Sequence, residues 1–141
     1  MAAMSALRVL ADTSALLALA DRRDQYHARA TSLARRFLGG GGRFVATLLA
    51  LAELYNHVLY QRGAGEARRV ASALLADPSY EWLDVTGPLV RAALSAWLER
   101  FADQRFSLAD AVSFEIMRAE RLTTAFAFDQ DFVTAGFSLL R

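Results

Sequence analysis

The stretch that decides the fold is "RVLADTSALLAL" (Arg8–Leu19). With the residue before it, "LRVLA" (7–11) reads as a short buried strand, as expected in a sheet covered on both faces. The run ends on a bare carboxylate, Asp12, followed at once by two hydroxyls, Thr13 and Ser14. "TSALLALAD" then reads as a helix. A strand that stops on an acid and turns into a helix is the start of a β–α unit, with the acid at the carboxyl end of the strand.

Working outward, the same alternation continues. "DQYHARATSLARRFL" (24–38) has apolar residues at helical spacing and Arg29, Arg35 and Arg36 on its wet face. "GGGG" (39–42) breaks the chain and "RFVA" (43–46) predicts a second strand. Thr47 is placed to cap "LLALAELYNHVLYQRG", which should end at Gly63. "GEARRVASALLAD" (65–77) predicts a helix stopped by Pro78, and "YEWLDV" (80–85) a third strand. Thr86 and Pro88 start a long helix, and Ser107 starts another, "LADAVSFEIMRAERL". "TTAFAF" (123–128) predicts a fourth strand, "DQDFVTAG" a turn or short helix, and "FSLL" an edge strand. Short apolar strands separated by helices predict one three-layer α/β/α domain over residues 1–141, with a mainly parallel sheet of four to five strands.

Composition narrows the chemistry. Of 141 residues, 55% are hydrophobic and 22% charged, which suits a packed core rather than disorder. The absence of cysteine excludes disulfides, thiol catalysis and iron–sulfur clusters, and suits a cytoplasmic location. All sixteen basic residues are Arg, so Schiff-base chemistry and Walker-type phosphate loops are excluded. A net charge of +1 gives no overall basic field. The longest apolar stretch, "FVATLLALAELY", contains Glu53 and is too short for a membrane span. "MAAMSALRVLA" is too short and weakly charged for a signal peptide, and translation can begin at Met1 or Met4.

The acids cluster at the predicted strand ends. Asp12 follows the first strand, Asp129 follows the fourth with Asp131 two residues on, and Asp110 lies in the first turn of its helix. Taken singly, each has an ordinary explanation: Asp12 and Asp129 as helix caps, Ser107 and Asp110 as a capping box. Glu53 interrupts an apolar helix, where a carboxylate needs an Arg partner, a proton or a cation. Brought together, such acids repel one another unless a hard divalent cation neutralises them. Oxygen-only ligands select Mg²⁺ or Mn²⁺ over zinc, and these ions support phosphodiester hydrolysis.

With those motifs in order, the chain resembles the PIN-domain family, in particular the VapC-like toxins of bacterial toxin–antitoxin pairs. "VLADTSALLAL" looks like the family's first-strand motif, "TLLALAELYN" like its second, "FSLADAVSF" like its third and "AFAFDQDFVTAGF" like its last. The resemblance implies a metal-dependent ribonuclease. In it Asp12, Asp110 and Asp129 hold one or two Mg²⁺ or Mn²⁺ ions, and Glu53 completes the catalytic acids by binding metal or orienting water. Asp131 is an accessory or alternative acid, and Ser14 contacts the scissile phosphate or a ligating Asp. A metal-activated water attacks phosphorus in line and leaves a 5′-phosphate and a 3′-hydroxyl. The resemblance further implies a homodimer and a cognate antitoxin that wraps the toxin and obstructs the acidic pocket. The alternative is a PIN-like module that binds RNA or protein without cutting. An aspartyl-nucleophile phosphatase is disfavoured, because the position two after Asp12 is Ser14 and the chain has no Lys.

The two histidines, His27 and His57, have no metal-ligand spacing and read as structural or surface groups. Arg22 and Arg23 read as a solvated helix end with RNA-backbone contact as the other option. An exposed aromatic would suit base stacking, but the sequence singles none out.

Overall fold

The computed structural model describes residues 7–141. Met1 and Met4, the alternative starts, lie outside the described residues. Among the described residues five parallel strands form one sheet: β1 (Arg8–Ala11), β2 (Arg43–Thr47), β3 (Tyr80–Leu83), β4 (Thr124–Phe126) and β5 (Ser138–Leu139). Their order is β3-β2-β1-β4-β5, so the first strand is central and the chain builds outward on both sides of it. β1 pairs with β2 through Val9 and Phe44 and with β4 through Leu10 and Ala125.

Side-chain alternation along β1 makes the three layers. Val9 and Ala11 face one core, with Phe44, Phe126 and the apolar stripes of α1 (Thr13–Ala20), α2 (His27–Gly39), α3 (Leu48–Arg62) and α4 (Ala64–Ala76). Leu10 and Val45 face the other, against α5 (Gly87–Ala93), α6 (Leu108–Ala119) and α7 (Asp131–Thr134). Because both faces are covered, the strands read as continuous apolar runs rather than alternating ones. The α/β/α class and the parallel sheet agree with the sequence expectation.

Several boundaries are set by local chemistry. Thr47 caps α3 by accepting the Ala50 N–H at 3.0 Å, and Gly63 ends it with a φ of +89° that side chains rarely adopt. Ser107 and Asp110 form a reciprocal capping box at the start of α6. β3 ends at Leu83 rather than 85 and α6 at Ala119 rather than Leu122, and three further boundaries differ from expectation for a local reason. α2 starts at His27 rather than residue 24, because Asp21 and Asp24 bond the backbone N–H two residues on and hold 21–26 in turns. The helix after Pro88 widens into a π-helical segment at Leu94–Glu99, where buried Trp97 donates its indole N–H to Glu115 of α6 at 3.0 Å. β4 ends at Phe126 instead of 128, because the Phe128 N–H turns to the Ser14 hydroxyl.

Candidate metal centre

In an open parallel sheet the ligand crevice lies beyond the carboxyl ends of the strands, where the strand order reverses. Here that point lies between β1 and β4, with Asp12 directly after β1 and Asp129 three residues after β4. The Asp12 N–H extends the ladder by one bond to the Phe126 carbonyl, 3.0 Å, so the segments leaving β1 and β4 start side by side.

Asp12 is 6% exposed. Its Oδ2 accepts the Ser14 hydroxyl at 2.8 Å and the Ser14 N–H at 3.2 Å, so it caps α1 as well as facing the crevice. Burial pushes its pKa up; the Ser14 and Thr13 hydrogen bonds pull it down, and the charge of Asp129 adds to the rise. The Ser14 hydroxyl also accepts the Phe128 N–H at 3.1 Å. That one hydroxyl therefore ties the end of β1 to the segment leaving β4. Ser14→Ala removes both bonds and leaves a buried carboxylate less satisfied. The expected loss is about 1–2 kcal/mol in urea unfolding, and no change there would show that the brace carries no weight.

Asp110 is also buried, at 9% exposure. Burial is the first cause of its pKa being pushed up to about 7; the Asp12 charge comes next, and Asp129 adds, against the opposing hydrogen bonds to Ser107. Asp131, half-buried, is likewise raised, by burial first and then by Asp129. Asp129 is held by an Asx turn in which its Oδ1 accepts the Asp131 N–H at 2.9 Å.

Carboxylate oxygens of Asp110, Asp129 and Asp131 lie within 4.8 Å of one another. The residue expected only as an accessory, Asp131, is thus in the tight group, and Asp12 stands beside it as an electrostatic neighbour. No Arg neutralises the cluster: among the described residues, the ion pairs join Arg8 to Glu81 and Glu120, Arg62 to Asp21, Arg69 to Glu66 and Arg118 to Glu115. Converging carboxylates, with Asp110 and Asp131 raised in pKa and no cationic side chain beside them, are a donor set that fits a hard divalent cation.

Glu53 differs from its expected setting. It lies on the exposed face of α3, so no burial cost arises. Its Oε1 accepts the Thr13 hydroxyl at 2.8 Å. Since Thr13 follows Asp12, that bond ties Glu53 to the same edge of the crevice. Thr13 is the residue the sequence reading passed over; the hydroxyl beside Asp12 was its only signal. His27 is structural, its Nδ1 2.7 Å from the Ala18 carbonyl, and His57 is exposed.

The PIN domain family matches residues 9–138. The chain is 31% identical over 140 residues to "23S rRNA-specific endonuclease VapC20" of Mycobacterium tuberculosis strains CDC 1551 and H37Rv, covering 94% of this chain and 98% of that protein. It superposes on the crystal structure of Mycobacterium tuberculosis VapC20, described as a sarcin–ricin loop cleaving toxin, with a TM-score of 0.81 and 29% identity. That match covers 92% of this chain and 95% of the other. VapBC2 from Rickettsia felis, solved bound to a DNA fragment from its promoter, matches with a TM-score of 0.68 over 94% of this chain and 97% of that one, and its 14% identity makes this a likeness of fold. Strand order, acidic crevice and sequence match agree: the chain belongs to the PIN domain family.

Proposed function

We propose that this chain is a toxin endoribonuclease that works with Mg²⁺ or Mn²⁺ and cuts the large ribosomal RNA in the sarcin–ricin loop. The observation that supports it most is the convergence of Asp110, Asp129 and Asp131 at the sheet's switch point with no Arg to neutralise them. The substrate is taken from the VapC20 relatives, matched along nearly their whole length.

Asp12, Asp110 and Asp129, with Asp131 as a further donor, would hold one or two ions. When bound, the ion supplies charge neutralisation at phosphorus and lowers the pKa of a water. The chain's own residues do the rest. β1 and β4 fix Asp12 and Asp129 from a rigid sheet, and the Ser14 hydroxyl prevents the two segments from separating. Ser14's place in that brace supports a role in positioning Asp12 more than a free contact to phosphate. Glu53, steadied by Thr13, orients the attacking water. In-line attack breaks the P–O3′ bond and leaves a 5′-phosphate and a 3′-hydroxyl.

On this reading residues 1–141 act as one cytoplasmic domain and homodimerise, and a cognate antitoxin covers the acidic crevice. Exposed Leu48 and Tyr60 on α3 and Leu75 on α4 support the dimer. Among the described residues no helix is long and apolar enough to cross a membrane.

The test is incubation of the purified protein with intact large ribosomal subunits, with RNA ends mapped. One cut that disappears with EDTA and returns with Mn²⁺ or Mg²⁺ is expected. RNA binding that ignores chelator, with no cut at any divalent concentration, would establish the binding-module alternative.

A further inference from the structure

The structure selects the exposed aromatic that the sequence left unassigned. A ladder of rings crosses the sheet: Tyr80 stacks on Phe44 at 5.4 Å, Phe44 on Phe126 at 5.0 Å, and Phe126 meets Phe128 edge-on at 6.1 Å. Phe128 then stacks on Tyr26, with centroids 4.5 Å apart and planes 1° from parallel. Phe44 and Phe126 are buried in the core, while Tyr26 remains 39% exposed. One face of Tyr26 is covered by Phe128, and the ladder ends there.

The position of that open end suits a nucleotide. Tyr26, Phe128, Ser14 and Asp129 line one cavity of about 460 Å³, so the ring pair forms a wall of the space bordered by the acidic crevice. On its other side, Tyr26 and Phe128 line a larger cavity of about 780 Å³ with Arg29, Gln130, Ser138 and Arg141. Arg29 lies in the first turn of α2, three residues past Tyr26, and has no ion-pair partner among the described residues. A path thus runs from carboxylates, over an aromatic face, to an arginine.

The platform is rigid before any ligand arrives. The Tyr26 N–H donates to Asp24 Oδ1 at 2.8 Å, and the Phe128 N–H donates to Ser14 Oγ, which itself donates to Asp12. The backbone that carries the Phe128 ring is therefore held by the hydroxyl that braces Asp12. A preordered aromatic face needs little further ordering to accept a base.

We propose that Tyr26, backed by Phe128, is the stacking platform for an unpaired base next to the scissile phosphate, with Arg29 contacting the RNA backbone beyond it. The proposal rests on the ribonuclease reading and adds where the substrate lies. Single-stranded loops are recognised in this way because unstacked bases offer faces that aromatic rings can cover. A protein segment laid over the same surface is the rival occupant.

The test uses a fluorescent stem-loop RNA of sarcin–ricin sequence and an Asp110→Asn background that leaves the RNA intact. Tyr26→Ala should weaken binding roughly ten- to a hundredfold, Tyr26→Phe should restore it, and Tyr26→Leu should not. An abasic substitution at one loop nucleotide should weaken the Tyr26 protein to the same degree and add nothing to Tyr26→Ala. Melting temperatures of Tyr26→Leu and Tyr26→Phe that match the parent show that the fold is kept. Undiminished RNA affinity in Tyr26→Ala overturns the platform, as does a loss that is additive with every abasic position. Retained RNA affinity with weakened capture of a protein partner assigns the surface to protein and also overturns it. Failure of the wild-type chain to cut either the stem-loop or intact ribosomal subunits strikes the ribonuclease reading itself, a result distinct from a normal enzyme indifferent to Tyr26.

Discussion

Asp110→Asn should abolish RNA cleavage while making the metal-free protein more stable. The two effects have one cause. Asp110 is buried beside Asp12 and Asp129, and burial with those charges pushes its pKa up to about 7. At neutral pH the carboxylate therefore sits where the fold resists its charge. An amide of the same shape has no charge to repel, and its oxygen still accepts the Ser107 N–H that closes the capping box. Removing the charge should raise the melting temperature of metal-free protein by several degrees, corresponding to roughly 1–3 kcal/mol. The same change deletes one of the three converging carboxylates. Cleavage should fall by roughly a thousandfold or more, the scale at which removal of one preorganised charge-handling group is felt. The stabilisation that Mn²⁺ gives the wild-type protein should disappear with it. Gain of stability with loss of activity is the mark of a site kept strained for function. Full cleavage by the variant, or a lower melting temperature without metal, would place Asp110 in a capping role alone.

The sequence made the scaffold readable where one residue has one physical job. An apolar run ending at Asp12, Thr47 before an apolar helix, Gly63 after it and Ser107 three residues before Asp110 each act through local geometry, and each is where the reading put it. What depended on tertiary position was less legible. Glu53 has apolar neighbours in sequence, yet helical rotation carries it to the exposed face of α3, where Thr13 meets it. Local spacing could not rank Asp131 against Asp12, because the Asx turn at Asp129 folds Asp131 back toward Asp110. Residues 24–26 open a stretch that reads as helical over 24–38, but the Asp24 carboxylate competes for the backbone and wins. That competition also fixes Tyr26 outside the helix body, on the rim of the crevice. Three acids after strands and one in the first turn of α6 announce a site; which of them touch is decided by turns that pattern alone does not reveal.

Metal-free protein should lose stability between about pH 4 and pH 7, opposite to the acid sensitivity of most folds. Asp110, Asp12 and Asp131 all have pKa values raised in the folded state, chiefly by burial. A raised carboxyl pKa means that the native protein holds protons that the unfolded chain has released. That contribution is fully present below the unfolded value near 3.8 and is lost as pH climbs through the folded value, about 7 for Asp110. The Asp110 share is roughly 2–4 kcal/mol. Glu115 works the other way: Arg118 holds its pKa down, so its contribution is present above 4.5 and lost on further acidification. The two trends set a stability maximum at about pH 4. Divalent metal should reverse the upper limb, because it binds the ionised acids that destabilise the empty site. Mn²⁺ at a hundred times its dissociation constant adds about 2.7 kcal/mol, enough to offset most of the Asp110 share at neutral pH. Melting curves from pH 4 to 8 in EDTA and in saturating Mn²⁺ should therefore diverge above about pH 6 and converge at the acidic end. Asp110→Asn should flatten the EDTA curve. A wild-type EDTA curve that is flat, or that rises toward pH 8, would show that these carboxylates are relaxed in the fold and do not form a strained cluster awaiting a cation.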